Sequence, residues 1–223
     1  MYLRTRRHLH LYPFYESGAA VSLDLPSARG GALPYRVVAL AASAGGLAAV
    51  SQILAALPAD FAAPVIVVQH LSPGHPSFLA EILRRRVLLA VVQAGGGELP
   101  APGTVYLAPP DHHLLVRPWG GLALSEAPPV HFVRPSADLL FASLAECVGE
   151  RAVAVVLSGT GRDGAEGVCA IKRHGGTVFA QDGDAEFGGM PRAARDTGAV
   201  DRVLPLAAIA PALVELTAIR MAS

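Results

Sequence analysis

Three apolar runs mark the chain with almost no polar alternation: Arg36-Val-Val-Ala-Leu-Ala-Ala42, Pro64-Val-Ile-Val-Val-Gln69 and Ala152-Val-Ala-Val-Val-Leu157. Short uncharged runs rich in Val and Ile are the pattern of strands buried on both faces, as in a parallel sheet covered by helices. After the first, residues 47–57 carry apolar positions at helical spacing and end at Pro58. After the second, residues 76–86 do the same, with Pro76 suited to a first turn and Arg84, Arg85 and Arg86 to a last turn. Further helices are predicted over 136–148, with Ser136 and Asp138 near its start, over 165–174, and from 206 to about 219. Residues 177–180 read as a strand. The stretch 87–133 reads as β, with short strands at 105–108, 113–116 and 122–125 and a hairpin turn at Trp119-Gly-Gly121. Strands alternating with helices predict an α/β fold. The sheet is expected to be doubly wound and mostly parallel, with helices on both faces and an antiparallel β edge or flap supplied by the central stretch.

Composition narrows the classes. The 223 residues are 52% hydrophobic and 16% charged, enough for one large α/β domain or two small ones with a substantial core. A formal net charge of zero argues against a protein built to neutralise nucleic-acid phosphates, which needs a basic face. Residues 1–34 differ from the rest: Arg4, Arg6, Arg7, His8 and His10 are followed by Gly, Ser and Pro without periodicity. They read as a loosely ordered N-terminal extension, and 35–219 as the folded domain. The N-terminus lacks the apolar region that a secretory signal requires. The stretch 37–59 is uncharged and long enough to span a membrane, but Ser43-Ala-Gly-Gly46, Ser51-Gln52 and Pro58 favour a strand, a turn and a helix. Cys147 and Cys169 lack C-x-x-C spacing and read as buried free thiols in a reducing compartment.

The chemistry lies just beyond the apolar runs. Ser43, His70 and Asp163 each follow one of them, and open parallel sheets bind ligands beyond the carboxyl ends of their strands. One rim would then hold a hydroxyl, an imidazole and a carboxylate, the parts of a nucleophile, its general base and the group that orients the base. Ala41-Ala-Ser-Ala-Gly-Gly46 is close to the nucleophile elbow G-x-S-x-G, with Ala41 in place of its first glycine. In that reading the backbone N–H of Ala44 is the first oxyanion donor. Local readings compete at each position. Ser43 could only cap the helix, His70 could be a structural hydrogen-bonder, and Asp163 could cap the helix that follows it. Ser158-Gly-Thr-Gly-Arg-Asp-Gly164 could be a phosphate cradle or a plain turn. G-x-G-x-x-G and Gly-Lys-Ser/Thr are both missing, which argues against dinucleotide and P-loop sites. His70, His75, Asp111, His112 and His113 match no tight ligand spacing, so neither a metal nor another cofactor is expected.

Taken in order, the motifs carry a resemblance. Ala42-Ser-Ala-Gly-Gly46, Val68-Gln-His-Leu71, Val105-Tyr-Leu-Ala-Pro-Pro-Asp-His-His113, Arg134-Pro-Ser-Ala-Asp138, Leu157-Ser-Gly-Thr-Gly-Arg-Asp-Gly-Ala165, Ala180-Gln-Asp182 and Gly189-Met-Pro-Arg192 follow one another along about four fifths of the chain. Residues from about 35 to 217 thereby resemble the catalytic domain of the CheB-type chemotaxis methylesterases, the protein-glutamate methylesterases of bacteria. The resemblance implies a Ser43-His70-Asp163 triad that hydrolyses γ-glutamyl methyl esters, with glutamine deamidation in some members. The expected partners are the cytoplasmic helices of methyl-accepting chemoreceptors, with no nucleic acid and no membrane insertion. The expected location is the cytoplasm.

Two departures touch the site: Ala44 stands where the family usually has Thr, and Thr160 where it often has Met. Both positions are expected to serve as oxyanion donors through the backbone N–H, which survives either change. Arg192 and the loop 187–191 line the site by the same resemblance. The family commonly carries a receiver domain of on the order of 100 residues. The 34 residues before the first strand are too few for one, so phosphorylation in cis is not expected. Two readings stand beside the esterase: a receiver-less binding module on the same fold, and a serine hydrolase acting on another ester.

Overall fold

The computed structural model describes residues 9–11, 21–23, 33–70 and 77–218. Strands β1 (Leu9–Leu11) and β2 (Val21–Leu23) pair antiparallel, with Leu9 opposite Leu23. The rest of the extension predicted over 1–34, up to residue 32, lies outside the described residues.

The first apolar run forms β3 (Val37–Ala42), which turns into α1 (Gly46–Ala56). The second forms β4 (Val65–Gln69), followed by α2 (Leu79–Arg84). Helix α2 is shorter than expected: its N-cap is Phe78, which supplies no side-chain hydrogen bond, and the predicted start at Pro76 lies outside the described residues. The central β stretch divides. Strands β5 (Ala90–Gln93) and β6 (Thr104–Leu107) join the main sheet in parallel, while β7 (His113–Val116) and β8 (Leu122–Ser125) form a separate antiparallel pair. Arg117 N donates to Gly121 O (2.7 Å) across the Trp119-Gly-Gly hairpin. Then come α3 (Ala137–Val148), β9 (Ala152–Val156), α4 (Ala165–Arg173), β10 (Thr177–Gln181), α5 (Gly189–Asp196), β11 (Arg202–Leu204) and α6 (Leu206–Ala218).

The seven-stranded sheet runs β11-β10-β9-β3-β4-β6-β5, parallel throughout. From β3 the chain moves to β4 on one side, and later returns to β9 on the other. The loops after β3 and β9 therefore open a crevice at the carboxyl ends, the place where doubly wound sheets bind ligands. Alternate residues of β3 divide between two cores. Val38 and Leu40 pack with Ile53 and Leu54 of α1 and Leu213 of α6. Val37, Ala39 and Ala41 pack with Leu140 and Phe141 of α3 and Val168 of α4. Fully burying each such Leu, Ile or Phe stabilises the fold by about 1.5–3 kcal/mol.

Cys147 and Cys169 are free thiols. Cys147 Sγ donates to Val116 O (3.2 Å), and burial pushes its thiol up to about 12, so it stays protonated and inert. Among the described residues no helix is long and apolar enough to cross a membrane.

Candidate active site

The turn between β3 and α1 presents Ser43. Its sharpness rests on Gly45, the α1 N-cap, at φ +70°, a left-handed conformation that side chains disfavour. Three hydrogen bonds lock the turn: Ser43 N to Ser158 O (3.0 Å), Gly46 N to Ser43 O (2.9 Å) and Gln69 Nε2 to Ser43 O (2.8 Å). Ser43 does not cap α1, which has no side-chain cap, and its hydroxyl makes no hydrogen bond among the described residues. The half-buried hydroxyl is therefore uncommitted.

His70 follows β4 directly. Its N–H donates to Ala42 O (2.9 Å), so the register that sets Ala42 beside Gln69 brings the ends of the two strands together. The imidazole Nε2 lies 2.8 Å from Asp163 Oδ2, with side-chain exposures of 10% and 3% for the pair. That leaves Nδ1 as the ring nitrogen available to a substrate or to Ser43.

Asp163 departs from its capping alternative. The N-cap of α4 is Gly164, with no side-chain bond, and the Asp163 carboxylate serves the start of α3 instead. Its Oδ1 accepts the Ser136 hydroxyl (2.8 Å) and Asp138 N–H (3.1 Å); its Oδ2 accepts Ala137 N–H (2.6 Å) besides His70. Burial acts to raise this carboxyl, but the bond and charge of His70, with the Ala137 and Ser136 donors, hold it below the usual range. The ionised form of Asp163 is thereby favoured over its acid.

The loop after β9 closes over the serine. Ser158 Oγ donates to Ala44 O (2.9 Å) and accepts Phe187 N–H (3.0 Å), while Gly159 N donates to Phe187 O (2.8 Å) and Met190 N to Gly159 O (2.9 Å). A methyl group on Gly159 would lie 2.9 Å from Ser43 Cβ and run into Met190 Sδ. Gly159→Ala is expected to destabilise the fold by about 1–3 kcal/mol through overpacking and to abolish activity, as read by urea unfolding beside an ester assay. The backbone N–H groups of Ala44 and Thr160 donate to nothing among the described residues, and both flank the serine turn. The loop 187–191 reaches this region through Phe187 and Met190, whereas Arg192 is exposed on α5, 3.9 Å from Asp196.

The sequence reading gave Ser136 no role beyond the start of its helix, and gave none to Gln69, Ser158 and Gln181, which join the strand ends. Ser158 N donates to Gln181 Oε1 (3.0 Å). The signal was present, since each of the four lies inside a quoted motif, but a small polar residue does not declare its partner.

The histidines that could be read as ligands are engaged separately. His112 Nδ1 lies 3.0 Å from Pro110 O, Asp111 pairs with Arg134 at 2.6 Å, and His75 lies outside the described residues. His113 is buried; its Nδ1 accepts Ser136 N–H (3.1 Å), so its Nε2–H donates to Pro128 O (3.1 Å). A different group brings ligand-type atoms within 4.8 Å of one another, namely His131, Asp138 and Glu166. Here His131 Nε2 lies 3.4 Å from Asp138 Oδ2.

Burial pushes the His113 imidazole below its usual range, outweighing the Pro128 and Ala127 carbonyls and Asp163, while Arg134 adds to the lowering. The unfolded chain binds this proton near pH 6.5 and the folded chain only at lower pH. The contribution to stability is therefore complete above about pH 6.5 and is lost as pH falls below it. His131 is shifted the opposite way by its bond to Asp138. The check compares urea stability of wild type and His113→Asn at about pH 7.5 and 5.5, and the wild type is expected to lose more on acidification.

Comparison with known proteins gives the fold its family. The CheB methylesterase family matches residues 38–213. Protein-glutamate methylesterase FrzG of Myxococcus xanthus is 46% identical over 183 residues, covering 82% of this chain and 55% of the relative. Protein-glutamate methylesterase/protein-glutamine glutaminase 1 of Cupriavidus pinatubonensis is 43% identical over 181 residues, covering 81% of this chain and 53% of the relative. The chain thus spans about half the length of the curated relatives it matches. The crystal structure of the Thermotoga maritima CheB methylesterase catalytic domain superposes with a TM-score of 0.79 at 36% identity, covering 82% of this chain and 100% of that one. The mostly parallel sheet covered by helices matches the CheB catalytic-domain fold, and the chain belongs to the CheB methylesterase family.

Proposed function

We propose that this chain hydrolyses γ-glutamyl methyl esters on the cytoplasmic helices of chemoreceptors, and does so in the cytoplasm. The observation that carries the reading is the His70–Asp163 pair at 2.8 Å on the rim where the Ser43 hydroxyl has no hydrogen-bond partner among the described residues. Similarity to relatives named as protein-glutamate methylesterases supports this substrate class.

Ser43 Oγ attacks the ester carbonyl while His70 Nδ1 takes the hydroxyl proton. The backbone N–H groups of Ala44 and Thr160 receive the developing oxyanion, which needs only donors that no other acceptor has claimed. Collapse of the tetrahedral intermediate breaks the acyl–oxygen bond, and the imidazolium returns its proton to the departing methoxide, releasing methanol. Water then attacks the acyl-serine, His70 again accepting the proton, and yields glutamate and free Ser43. Asp163 stays ionised, fixes the proton on Nε2 and stabilises the imidazolium. An amide would follow the same path with ammonia as leaving group, in line with the glutaminase activity in the name of the Cupriavidus relative.

The test is methanol release from a methylated cytoplasmic chemoreceptor fragment. Release above the buffer rate is the expected result. None from folded protein that still reacts with a simple methyl ester would assign another ester substrate.

A further inference from the structure

We propose that Ser136 and His113 are positioning residues of the triad, holding Asp163 in the orientation that His70 requires. This rests on the catalytic reading of Ser43, His70 and Asp163 above.

Three of the four hydrogen bonds to the Asp163 carboxylate come from one place, the first turn of α3: the Ser136 hydroxyl, Ala137 N–H and Asp138 N–H. The donors divide between the two oxygens. Oδ1 takes Ser136 and Asp138, while Oδ2 takes Ala137 and His70. The last torsion of an Asp side chain is intrinsically broad. A carboxylate bound on both oxygens cannot turn without breaking a charge-assisted bond, so the clamp keeps Oδ2 on His70 Nε2.

The clamp is only as rigid as the start of α3, and His113 fixes that start. Ser136 is the N-cap, with extended backbone at φ −112° and ψ 134°, so its own N–H is outside the helical ladder. His113 Nδ1 accepts that N–H at 3.1 Å. The ring is anchored in turn by Nε2 on Pro128 O and by the pairing of β7 with β8, where His113 lies opposite Ser125. The single proton of the Ser136 hydroxyl goes to Asp163, which leaves its lone pairs for Leu139 N–H at 3.5 Å. The run is thus continuous from Pro128 through His113, Ser136 and Asp163 to His70.

A cap alone would make Ser136 a stability residue. A positioning role predicts more. The first readout is the His70 Nε2–H resonance of the full-length chain, seen in the nitrogen-15 spectrum of wild type and identified by its loss in Asp163→Asn. Ser136→Ala is expected to shift this resonance and to speed its exchange with water, while Ser136→Thr keeps it. The second readout is steady-state turnover of a methyl ester. Ser136→Ala is expected to lower kcat about 10- to 100-fold, the value of one hydrogen bond to a charged group, with KM within about twofold. Ser136→Thr is expected to restore kcat. His113→Asn, which keeps an acceptor for Ser136 N–H, is expected to exceed His113→Ala in kcat at equal folded fraction. An unmoved resonance in folded Ser136→Ala, or kcat within about twofold of wild type, overturns the proposal and leaves a helix cap. The resonance needs no substrate, so a wild type that hydrolyses nothing would count against the proposed function while this inference is still decided.

Discussion

Replacing Ser43 by alanine is expected to lower methyl-ester turnover by about 10⁴-fold or more, equivalent to about 5.5 kcal/mol of lost transition-state stabilisation. The size follows from the nature of the loss. The hydroxyl supplies the bond-forming atom, and no other described hydroxyl takes its place. The nearest by connectivity, Ser158, is buried and has both its donor and an acceptor position occupied, by Ala44 O and Phe187 N–H. Stability should hardly change, because the turn is held by the Ser43 backbone and the hydroxyl has no partner to lose among the described residues. The measurement is kcat and urea stability side by side. A variant that is folded and within tenfold of wild type would remove Ser43 from the mechanism.

Asp163→Asn is expected to reduce turnover by about 10⁴-fold as well, and here the fold should suffer too. Four donors converge on this carboxylate, two on each oxygen. An asparagine must aim its NH2 at one of those pairs. Facing Ser136 and Asp138 N–H, it opposes donor to donor at the start of α3. Facing His70 and Ala137 N–H, it forces the imidazole proton onto Nδ1, the nitrogen that must accept the proton of Ser43. No flip of the amide satisfies both sides. Stability is expected to fall by about 1–3 kcal/mol, the cost of leaving a buried polar group unpaired. A variant with both turnover and stability near those of wild type would mean that another group orients His70.

The parts of the fold legible in the sequence were those with an unambiguous period. Strands β3, β4 and β9 are buried along their whole length, so their residues had no polar alternation to confuse the reading. Helices α1, α3 and α4 fall within one or two residues of expectation because Gly45, Ser136 and Gly164 start them. Helix α5 and strand β11 went unread. The first is short, Arg-rich and carries Pro191 near its start, which suits a turn as well as a first helical turn. The second is three residues at a sheet edge, with Arg202 and Val203 exposed, too brief for a period. The parallel strands β5 and β6 were seen as β but not as part of the main sheet, because pairing partners are not written in a local pattern.

Ser43, His70 and Asp163 each stand after an apolar run; the structure joins His70 to Asp163 at 2.8 Å and sets Ser43 in the turn after β3, the strand that pairs with β4. What the sequence did not show was the other side of Asp163. That its carboxylate meets the start of α3, and that His113 meets Ser136 from 23 residues away in the chain, depends on packing between elements.

The reactivity of one atom, Ser43 Oγ, tests the proposed mechanism most directly. Folded wild type treated with a phosphonate-type serine reagent, then digested and mapped by mass, is predicted to carry a single adduct on Ser43. Labelling should be absent in Ser43→Ala and slowed in Asp163→Asn. An adduct on a different residue, or folded wild type that stays unmodified at reagent concentrations that label serine esterases, would contradict it.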